Sequence, residues 1–294
     1  MQINKHGTFY IRNGWPTKIM RTVASYPYIF SPASERDAVD EMGVGRVMVK
    51  AMRYWAYATG ITEETKESQG VSQKLTELGQ YIADYDQYCQ KPGTLWLMHR
   101  ALATNLEITT AWAWAFNFFG RKTFTKDDFV DAFFSFTKAN GETYRRAAVE
   151  KEFDCFKNTY VSDKSFDINK IIDEDTIPFF APIKLITYLG KGVYEMRNVG
   201  SKEIPLDVFL YSILMDNSEH LEERSQISID ELLDGYYQVG KYFNLTYSSL
   251  IEMLQFLENE KKLILINNFG NRYIELGSTK TSDLLDNYYR EIEG

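Results

Sequence analysis

Residues 43–61, GVGRVMVKAMRYWAYATGI, carry the pattern that most restricts the fold of this chain. Arg46, Lys50 and Arg53 stand at positions i, i+4 and i+7, so in a helix they share one face. Apolar residues that could hold the helix against a core are Val47, Met48, Ala51, Met52 and Trp55. Residues 43–62 include no Asp or Glu. The segment therefore predicts an anchored helix with a cationic face, which a phosphate backbone would attract.

The flanks of this segment predict the rest of a DNA-binding motif. Residues 34–42 have the pattern of a short helix, and GVG at residues 43–45 predicts a tight turn. Residues 62–72 are polar and charged, and we interpret them as a loop beside a β-wing. Helix, turn, longer helix and wing together predict a winged helix-turn-helix. The alternative is that the cations form an ordinary solvated helix face.

Charge is divided unequally along the chain. The whole chain has a net charge of −8, but residues 1–61 hold eight Lys or Arg and four acids, a net charge of +4. The remaining residues hold 25 basic and 37 acidic side chains, a net charge of −12. This asymmetry is typical of a polyanion-binding end on an acidic body. The residues that we expect to contact DNA are Lys5, Arg12, Lys18, Arg21, Arg46, Lys50, Arg53 and Tyr57.

The pattern of elements predicts a mainly α protein with small β wings, of the α+β class, with winged helix-turn-helix modules at both ends of a helical middle. We expect a basic N-terminal domain at residues 1–90, a buried helical domain at residues 91–160 and an acidic C-terminal region at residues 161–294. The last contains the second winged helix, at about residues 205–278.

The second winged helix is predicted from a capping box at residues 228–231, a helix near residues 246–257 and a strand–turn–strand pattern at residues 263–276. Its second helix is rich in glutamate, and carboxylates repel phosphates. We therefore interpret this module as a protein-contact or dimerisation unit, with a purely structural role as the alternative.

Composition indicates a cytoplasmic protein. The N-terminus lacks the apolar segment of a secretory signal, and the longest apolar run, near residues 108–119, is too short to span a bilayer. The two cysteines are far apart in sequence and form neither a CxxC motif nor a zinc cluster, which is typical of a reducing compartment.

Four stretches in order resemble a prokaryotic family known as domain of unknown function 4007, which includes the SspB-like proteins of DNA phosphorothioation and anti-phage defence clusters. They are HGTFYIRNGWPTK at residues 6–18, MGVGRVMVK at 42–50 continuing to RYW at 53–55, YDQY at 85–88 with TLWLMH at 94–99 and FN at 116–117, and, more weakly, DCFKNTY at 154–160. The strongest similarity covers about the first 120 residues.

The resemblance implies a cytoplasmic protein that works with a machinery replacing a non-bridging phosphate oxygen of DNA by sulfur. Such clusters include a cysteine desulfurase, an adenylylating sulfur-transfer enzyme and an ATPase. The resemblance also implies binding to double-stranded DNA and single-strand nicking. A possible homo-oligomer is expected from the C-terminal module, interpreted as a dimerisation unit. Nicking would bring in Mg²⁺ or Mn²⁺ as a cofactor.

The residues themselves give little sign of catalysis. Phosphodiester hydrolysis usually needs a metal held by carboxylates or an activated nucleophile. With three histidines an HNH-like cluster is excluded, and no glycine-rich phosphate loop is present, which argues against ATP hydrolysis. The remaining candidates are His6, as a general base or phosphate ligand, and Asp84 and Asp86, as Mg²⁺ ligands. The competing interpretations are a hydrogen-bonded histidine and turn or cap aspartates. We predict no preformed metal site.

Three hypotheses follow. The first is a DNA-binding subunit of a phosphorothioation-type modification or defence system, and the second is that the same protein nicks one strand. The third is a non-catalytic adaptor whose winged helices tether the partner enzymes. A transcription regulator is a weaker alternative, because no sequence feature marks an effector pocket.

Overall fold

The computed structural model describes residues 1–161, 177–219, 226–268 and 271–290. Helices dominate this part of the chain, and its eight strands form three small antiparallel sheets. The prediction of a mainly helical α+β protein is therefore confirmed. Within the described residues, no helix is long and apolar enough to cross a membrane.

The N-terminal region is built from three helices and a hairpin. These elements are α1 (Trp15–Ser25), α2 (Glu35–Met42), α3 (Arg46–Ala58), β1 (Thr62–Glu67) and β2 (Gly70–Leu75). Pro16 occupies the first turn of α1, where proline costs no hydrogen bond. Gly43 ends α2 in the left-handed conformation at φ +62°, and its N–H donates to the carbonyl of Val39. A short helix, a glycine turn and a longer helix therefore follow one another in the predicted order.

The sequence analysis predicted a loop at residues 62–72, and this prediction is wrong. In the structure these residues belong to a regular antiparallel hairpin. The pairing runs from Thr62 opposite Leu75 to Glu67 opposite Gly70. The inner face of this hairpin is polar, since Thr62 and Gln73 are buried and joined by a 3.2 Å side-chain hydrogen bond. Apolar alternation, the usual signal of a half-buried strand, is therefore missing.

The middle of the chain combines buried helices with a sheet. Its elements are α4 (Glu77–Tyr85), α5 (Pro92–Thr104), α6 (Thr110–Asn117), β3 (Thr123–Thr125), α7 (Lys126–Ala139), α8 (Arg146–Tyr160), β4 (Ile186–Gly190) and β5 (Val193–Met196). Every residue of α6 is buried, as its apolar sequence predicts. A capping box opens α7, in which Thr125 and Asp128 satisfy each other's backbone N–H groups.

Strand β5 lies between β3 and β4. The sheet of the middle region thus draws on residues 193–196, past residue 160, where the sequence suggested a boundary. The division into three domains remains a prediction.

The C-terminal region consists of α9 (Leu206–Asp216), β6 (Gln226–Ser228), α10 (Ile229–Asp234), α11 (Val239–Tyr242), α12 (Tyr247–Asn259), β7 (Leu263–Asn268), β8 (Asn271–Leu276) and α13 (Thr281–Arg290). The predicted strand pair is present as β7 and β8, while the tip residues 269–270 lie outside the described residues. Ser228 precedes α10, but its side chain makes no capping hydrogen bond, so the predicted capping box is wrong.

The middle and C-terminal sheets share one topology. In each, a three-residue strand runs directly into a helix, a longer helix comes later, and a hairpin closes the sheet with its second strand in the centre. The orders are β3–β5–β4 and β6–β8–β7. The N-terminal, middle and C-terminal regions share a core, because one contiguous cluster of buried apolar side chains extends from Ile11 to Tyr289.

Candidate nucleic-acid interface

Helix α3 is anchored by its inner face and leaves two of the three predicted cations in solvent. Met52, Trp55 and Ala56 are fully buried, whereas Arg46 and Lys50 are exposed. Val47, which the sequence analysis placed on the apolar side, is 56% exposed because it lies in the first helical turn, beside the outer cations. The predicted cationic face therefore exists, and Val47 belongs to it.

Both arginines of this face already have carboxylate partners. Arg46 Nε pairs with Glu35 of α2, at the surface. Arg53 forms a bidentate pair with Glu64 of β1, with Nε–Oε2 and Nη2–Oε1 distances of 2.8 and 2.7 Å. By contrast, Lys50 has no ion pair with a described residue. It is therefore the most available cation of α3.

The Arg53–Glu64 pair joins α3 to the hairpin. The hydrogen bonds that Arg53 donates to Glu64 raise the pKa of Arg53 against the opposing effect of burial. Burial acts to raise the pKa of Glu64, but hydrogen bonds from Arg53 and Gln73 outweigh it and keep the pKa below its usual value. Both groups are consequently charged at neutral pH, and Arg53 has a structural task as well as a position on the cationic face.

Of the remaining predicted DNA contacts, two cations are exposed and two contact other residues of the protein. Lys5 and Arg21 are exposed. Lys18 Nζ donates a 3.0 Å hydrogen bond to the carbonyl of Met42, so it caps the end of α2 beside the turn into α3. The Arg12 guanidinium lies 5.8 Å from the ring centroid of Trp15 and 6.0 Å from that of Phe9.

Tyr57 is half-buried against Tyr54, with ring centroids 5.6 Å apart. Burial, and then the nearby Glu64 carboxylate, raise the pKa of its hydroxyl. In this position Tyr57 packs edge-on against Tyr54 and is only partly exposed.

A cleft of about 260 Å³ lies along α3. Arg46, Lys50 and Arg53 all line it, so the cationic face forms one wall of a concave site. The other lining residues are Ile29, Phe30, Ser31, Pro32, Glu35, Ala38 and Val49. Sequence reasoning missed this opposite wall, because residues 29–32 are separated from α3 by the whole of α2 and contain no cationic residue.

The structure places His6 in the core. Its side chain has no exposed surface, and its Nε2 lies 3.1 Å from Oε2 of Glu152 on α8, itself buried. The backbone N–H of Thr8 donates to Nδ1 at 3.1 Å, which leaves Nε2 to carry the proton and donate to the carboxylate. An imidazole held in this way joins the N-terminal segment to α8 and does not reach solvent.

Asp84 and Asp86 are not brought together as a metal site. Asp86 is buried and accepts hydrogen bonds from the N–H groups of Gln90 and Lys91 at 2.8 and 3.0 Å, and from the Thr94 hydroxyl at 2.7 Å. Asp84 is exposed and accepts from Gln80. In the described part of the chain, no group of three or more His, Cys, Asp or Glu side chains could hold a metal ion. These residues therefore do not fit the Mg²⁺ or Mn²⁺ that nicking would bring in.

His99 is the second histidine of the core. It has no exposed surface, its Nε2 donates to the carbonyl of Tyr242 at 2.7 Å, and its Nδ1 accepts from the Tyr160 hydroxyl at 2.8 Å. Burial lowers the pKa of His99 to about 4, and the hydrogen bond to Tyr242 opposes this only in part. The imidazole is consequently neutral at physiological pH and joins α5, α8 and α11.

These features define a class of protein: an α+β chain with small antiparallel sheets and a basic, cleft-lining helix near its N-terminus. A family model matches residues 3–289, and the chain belongs to that family, described as protein of unknown function, DUF4007. The predicted family resemblance is thus confirmed.

Two solved structures support the fold assignment. They are described as the SspB crystal structure and the magnesium ion-bound SspB crystal structure. Each superposes with a TM-score of 0.82 at 22% sequence identity, over 100% of this chain and 90% of the other. The similarity shows a common fold. No curated protein matches the chain.

Proposed function

We propose that this protein binds double-stranded DNA through α3, as a cytoplasmic subunit of a DNA phosphorothioation or anti-phage defence system. The observation that carries the proposal is the exposure of Arg46 and Lys50 on a helix whose opposite face is fully buried. Lys5 and Arg21 provide further exposed positive charge in the N-terminal region. The α2–α3 pair and the β1–β2 hairpin would then act as a winged helix-turn-helix, with α3 against the DNA.

The system is proposed from the family, because the similar solved structures are named SspB. The acidic and uneven charge of the whole chain also supports a salt-dependent contact limited to one end. Charge reversal at Arg53 is a poor test, because it would place a new carboxylate against Glu64 and disturb the fold. Lys50 and Arg46 are better targets, since both side chains are exposed.

The test is fluorescence anisotropy with a labelled DNA duplex at several salt concentrations. We expect the double variant Arg46→Glu, Lys50→Glu to lose at least tenfold in affinity and to show a shallower dependence on salt. Lys138→Glu introduces the same kind of charge change at an exposed position of α7 and should retain the wild-type affinity. Equal binding by the wild type and the double variant would reject α3 as the contact.

The same samples test the nicking that the family resemblance implies. Conversion of supercoiled plasmid to open circles is followed with Mg²⁺, with Mn²⁺ and with EDTA. Because His6 and Asp86 serve internal contacts, we place no catalytic role on them. Metal-dependent nicking would therefore direct the search to Asp84, which is exposed, and to residues outside the sequence-predicted set.

A specific observation also favours a protein contact at the other end of the chain. On α12 the carboxylate of Glu252 is exposed, and it lies on the same helix as the exposed ring of Phe256. A face that combines a carboxylate and an apolar ring disfavours phosphates and suits a protein partner. We propose the ATPase or sulfur-transfer enzyme of the cluster as that partner. Co-purification of one of these with the full chain, lost on Phe256→Glu, is the expected result, and equal recovery with the variant would contradict it.

A further inference from the structure

We propose that the cleft beside α3 binds a single nucleotide, with its phosphate at Lys50 and its base and sugar against the wall formed by residues 29–32. This inference rests on the proposed function, because Arg46 and Lys50 also provide the contact to duplex DNA. It adds a ligand class, a mononucleotide unit, and a location for it in the fold. The unit could be a free nucleotide or the end of a DNA strand.

Charge is the first argument. The lining includes three cations and one carboxylate, Glu35. Arg46 uses Nε for Glu35, and Arg53 uses Nε and Nη2 for Glu64, which leaves further guanidinium N–H donors on both side chains. Lys50 adds an ammonium group that is not engaged in an ion pair with any described residue. A phosphate group is bound best by several hydrogen-bond donors on cationic side chains, and one wall of the cleft provides them.

The opposite wall supplies the contacts that an inorganic anion would not need. Ile29, Phe30 and Pro32 line it, and Ala38 and Val49 complete an apolar surface between α2 and α3. Binding sites for small molecules are typically apolar clefts with a few polar groups that fix the orientation of the ligand. Here a base and sugar would contact the apolar wall, while the phosphate meets the cations.

The wall is also held in place before any ligand binds. The N–H of Ile29 donates to the carbonyl of Tyr26 at 3.1 Å, and that of Ser31 donates to the carbonyl of Tyr28 at 2.8 Å. The N–H of Gln73 on β2 donates to the carbonyl of Pro27 at 2.8 Å, which fixes the segment against the hairpin. A preformed site avoids the entropy cost of ordering a loop on binding.

Size selects a small ligand. The cleft volume of about 260 Å³ lies just below the usual range of roughly 300–1,000 Å³ for sites of drug-sized ligands. A duplex cannot enter such a space, although its backbone can lie across the exposed Arg46 and Lys50. A nucleotide inside a duplex would have to be unstacked at a cost of a few kcal/mol, so a strand end is the favoured source within DNA.

The experiment is a calorimetric titration of the full chain with 2′-deoxyadenosine 5′-monophosphate, with deoxyadenosine and inorganic phosphate as matched probes. We expect the nucleotide to bind at least tenfold more tightly than either probe. Lys50→Gln should weaken nucleotide binding about tenfold, because the phosphate loses its main cation. Ala38→Leu should weaken it to a similar extent by filling the cleft without changing charge, and Val49→Leu serves the same purpose if that variant does not fold. Lys138→Gln is the charge control and should bind like the wild type.

A labelled duplex and a labelled single strand with a 5′-phosphate, measured in parallel, separate the outcomes. Tighter binding of the single strand, with competition by the mononucleotide, supports a strand end in the cleft. Duplex binding with no nucleotide binding overturns the cleft proposal and leaves the proposed function intact. Nucleotide binding without duplex affinity at any salt concentration overturns the proposed function and leaves the cleft proposal intact. Equal affinity for phosphate and nucleotide, unaffected by the cleft-filling variants, also overturns the proposal.

Discussion

Partners that are distant in sequence decide which cations of α3 are available. Glu35 and Glu64 each lie 11 residues from the arginine that they contact, and neither is on α3. The i, i+4, i+7 spacing correctly predicted that three cations share a face. It could not predict which of them are paired, because that depends on how α2 and β1 pack against α3. At the residue scale, the position of the cationic face could therefore be predicted from the sequence. Which of its cations are paired with carboxylates could not.

The Arg46–Glu35 pair leads to a prediction of tighter DNA binding, whereas charge reversal at Arg46 is expected to weaken it. Glu35→Gln should increase affinity for duplex DNA up to about fivefold, because an exposed ion pair that competes with phosphate is worth about 0.2–1 kcal/mol. Glu41→Gln on the same helix is the matched control, since Glu41 is exposed and removes the same charge. Anisotropy titrations at low salt measure both variants. A smaller or equal gain for Glu35→Gln would show that the pair does not compete.

His99 predicts a pH dependence of stability. Its folded-state pKa is about 4, against 6.5 for the free side chain, so above pH 6.5 the imidazole is neutral in both states and its contribution is complete. Between pH 6.5 and about 4 the unfolded chain takes up a proton that the folded chain refuses, and stability falls by up to about 3 kcal/mol.

The variant His99→Gln tests the origin of this loss. Glutamine can donate to Tyr242 and accept from Tyr160 without titrating. We expect urea unfolding of the variant to show a smaller decrease in the free energy of unfolding between pH 6.5 and 4 than the wild type shows. Parallel curves for the two proteins would assign the loss to other groups.

At the scale of elements, helices were predictable and sheets were only partly so. The α2–α3 pair and the β7–β8 hairpin follow from glycine turns, apolar periodicity and alternation. In the middle region the three-residue β3 is too short for any period to be read, and β5 pairs with it across about 70 residues of chain. Tertiary pairing determines such strands, and a local pattern cannot show it.

Asp86 was a candidate metal ligand, but its carboxylate instead holds the segment that leads into α5. Its carboxylate accepts two backbone N–H groups immediately before α5, together with the hydroxyl of Thr94 within the helix. Asp86→Ala should lower the free energy of unfolding by about 1–3 kcal/mol, because it leaves the partly buried N–H groups of Gln90 and Lys91 without their acceptor. Denaturant titration with and without Mg²⁺ measures the effect, and Asp84→Ala, at an exposed position, should cost less than about 0.5 kcal/mol. A stabilisation by Mg²⁺ that Asp86→Ala removes would instead restore the metal interpretation.

At the scale of the whole molecule, α13 connects the end of the described chain to its first half. Leu284, Leu285 and Tyr289 are buried, and the helix packs against α9 and α4. The hydroxyl of Tyr81 on α4 donates to Asp286 at 2.7 Å, and the N–H of Gly93 on α5 donates to the hydroxyl of Tyr288 at 2.7 Å. Helix α13 therefore joins the C-terminal region to the middle of the chain.

Gly93 is the point at which this connection leaves least space. A Cβ added to Gly93 would lie 2.3 Å from Cζ of the Tyr288 ring, closer than carbon atoms can approach. In a helix, replacing glycine by alanine is normally favourable by up to about 1 kcal/mol, so any loss of stability reports the clash. Gly93→Ala should lower the free energy of unfolding by about 1–3 kcal/mol, as expected for overpacking.

A double-mutant cycle separates the clash from other effects of this substitution. Tyr288→Ala alone removes the ring and its hydrogen bond with the Gly93 N–H, and it should also destabilise the protein. In the double variant the new methyl group no longer meets the ring, so the total loss should be smaller than the sum of the two single losses by at least about 1 kcal/mol. Chemical denaturation followed by tryptophan fluorescence gives all four stabilities. Strictly additive losses would mean that α13 does not lie against α5 in solution, and the contact between the C-terminal helix and the middle of the chain would then be wrong.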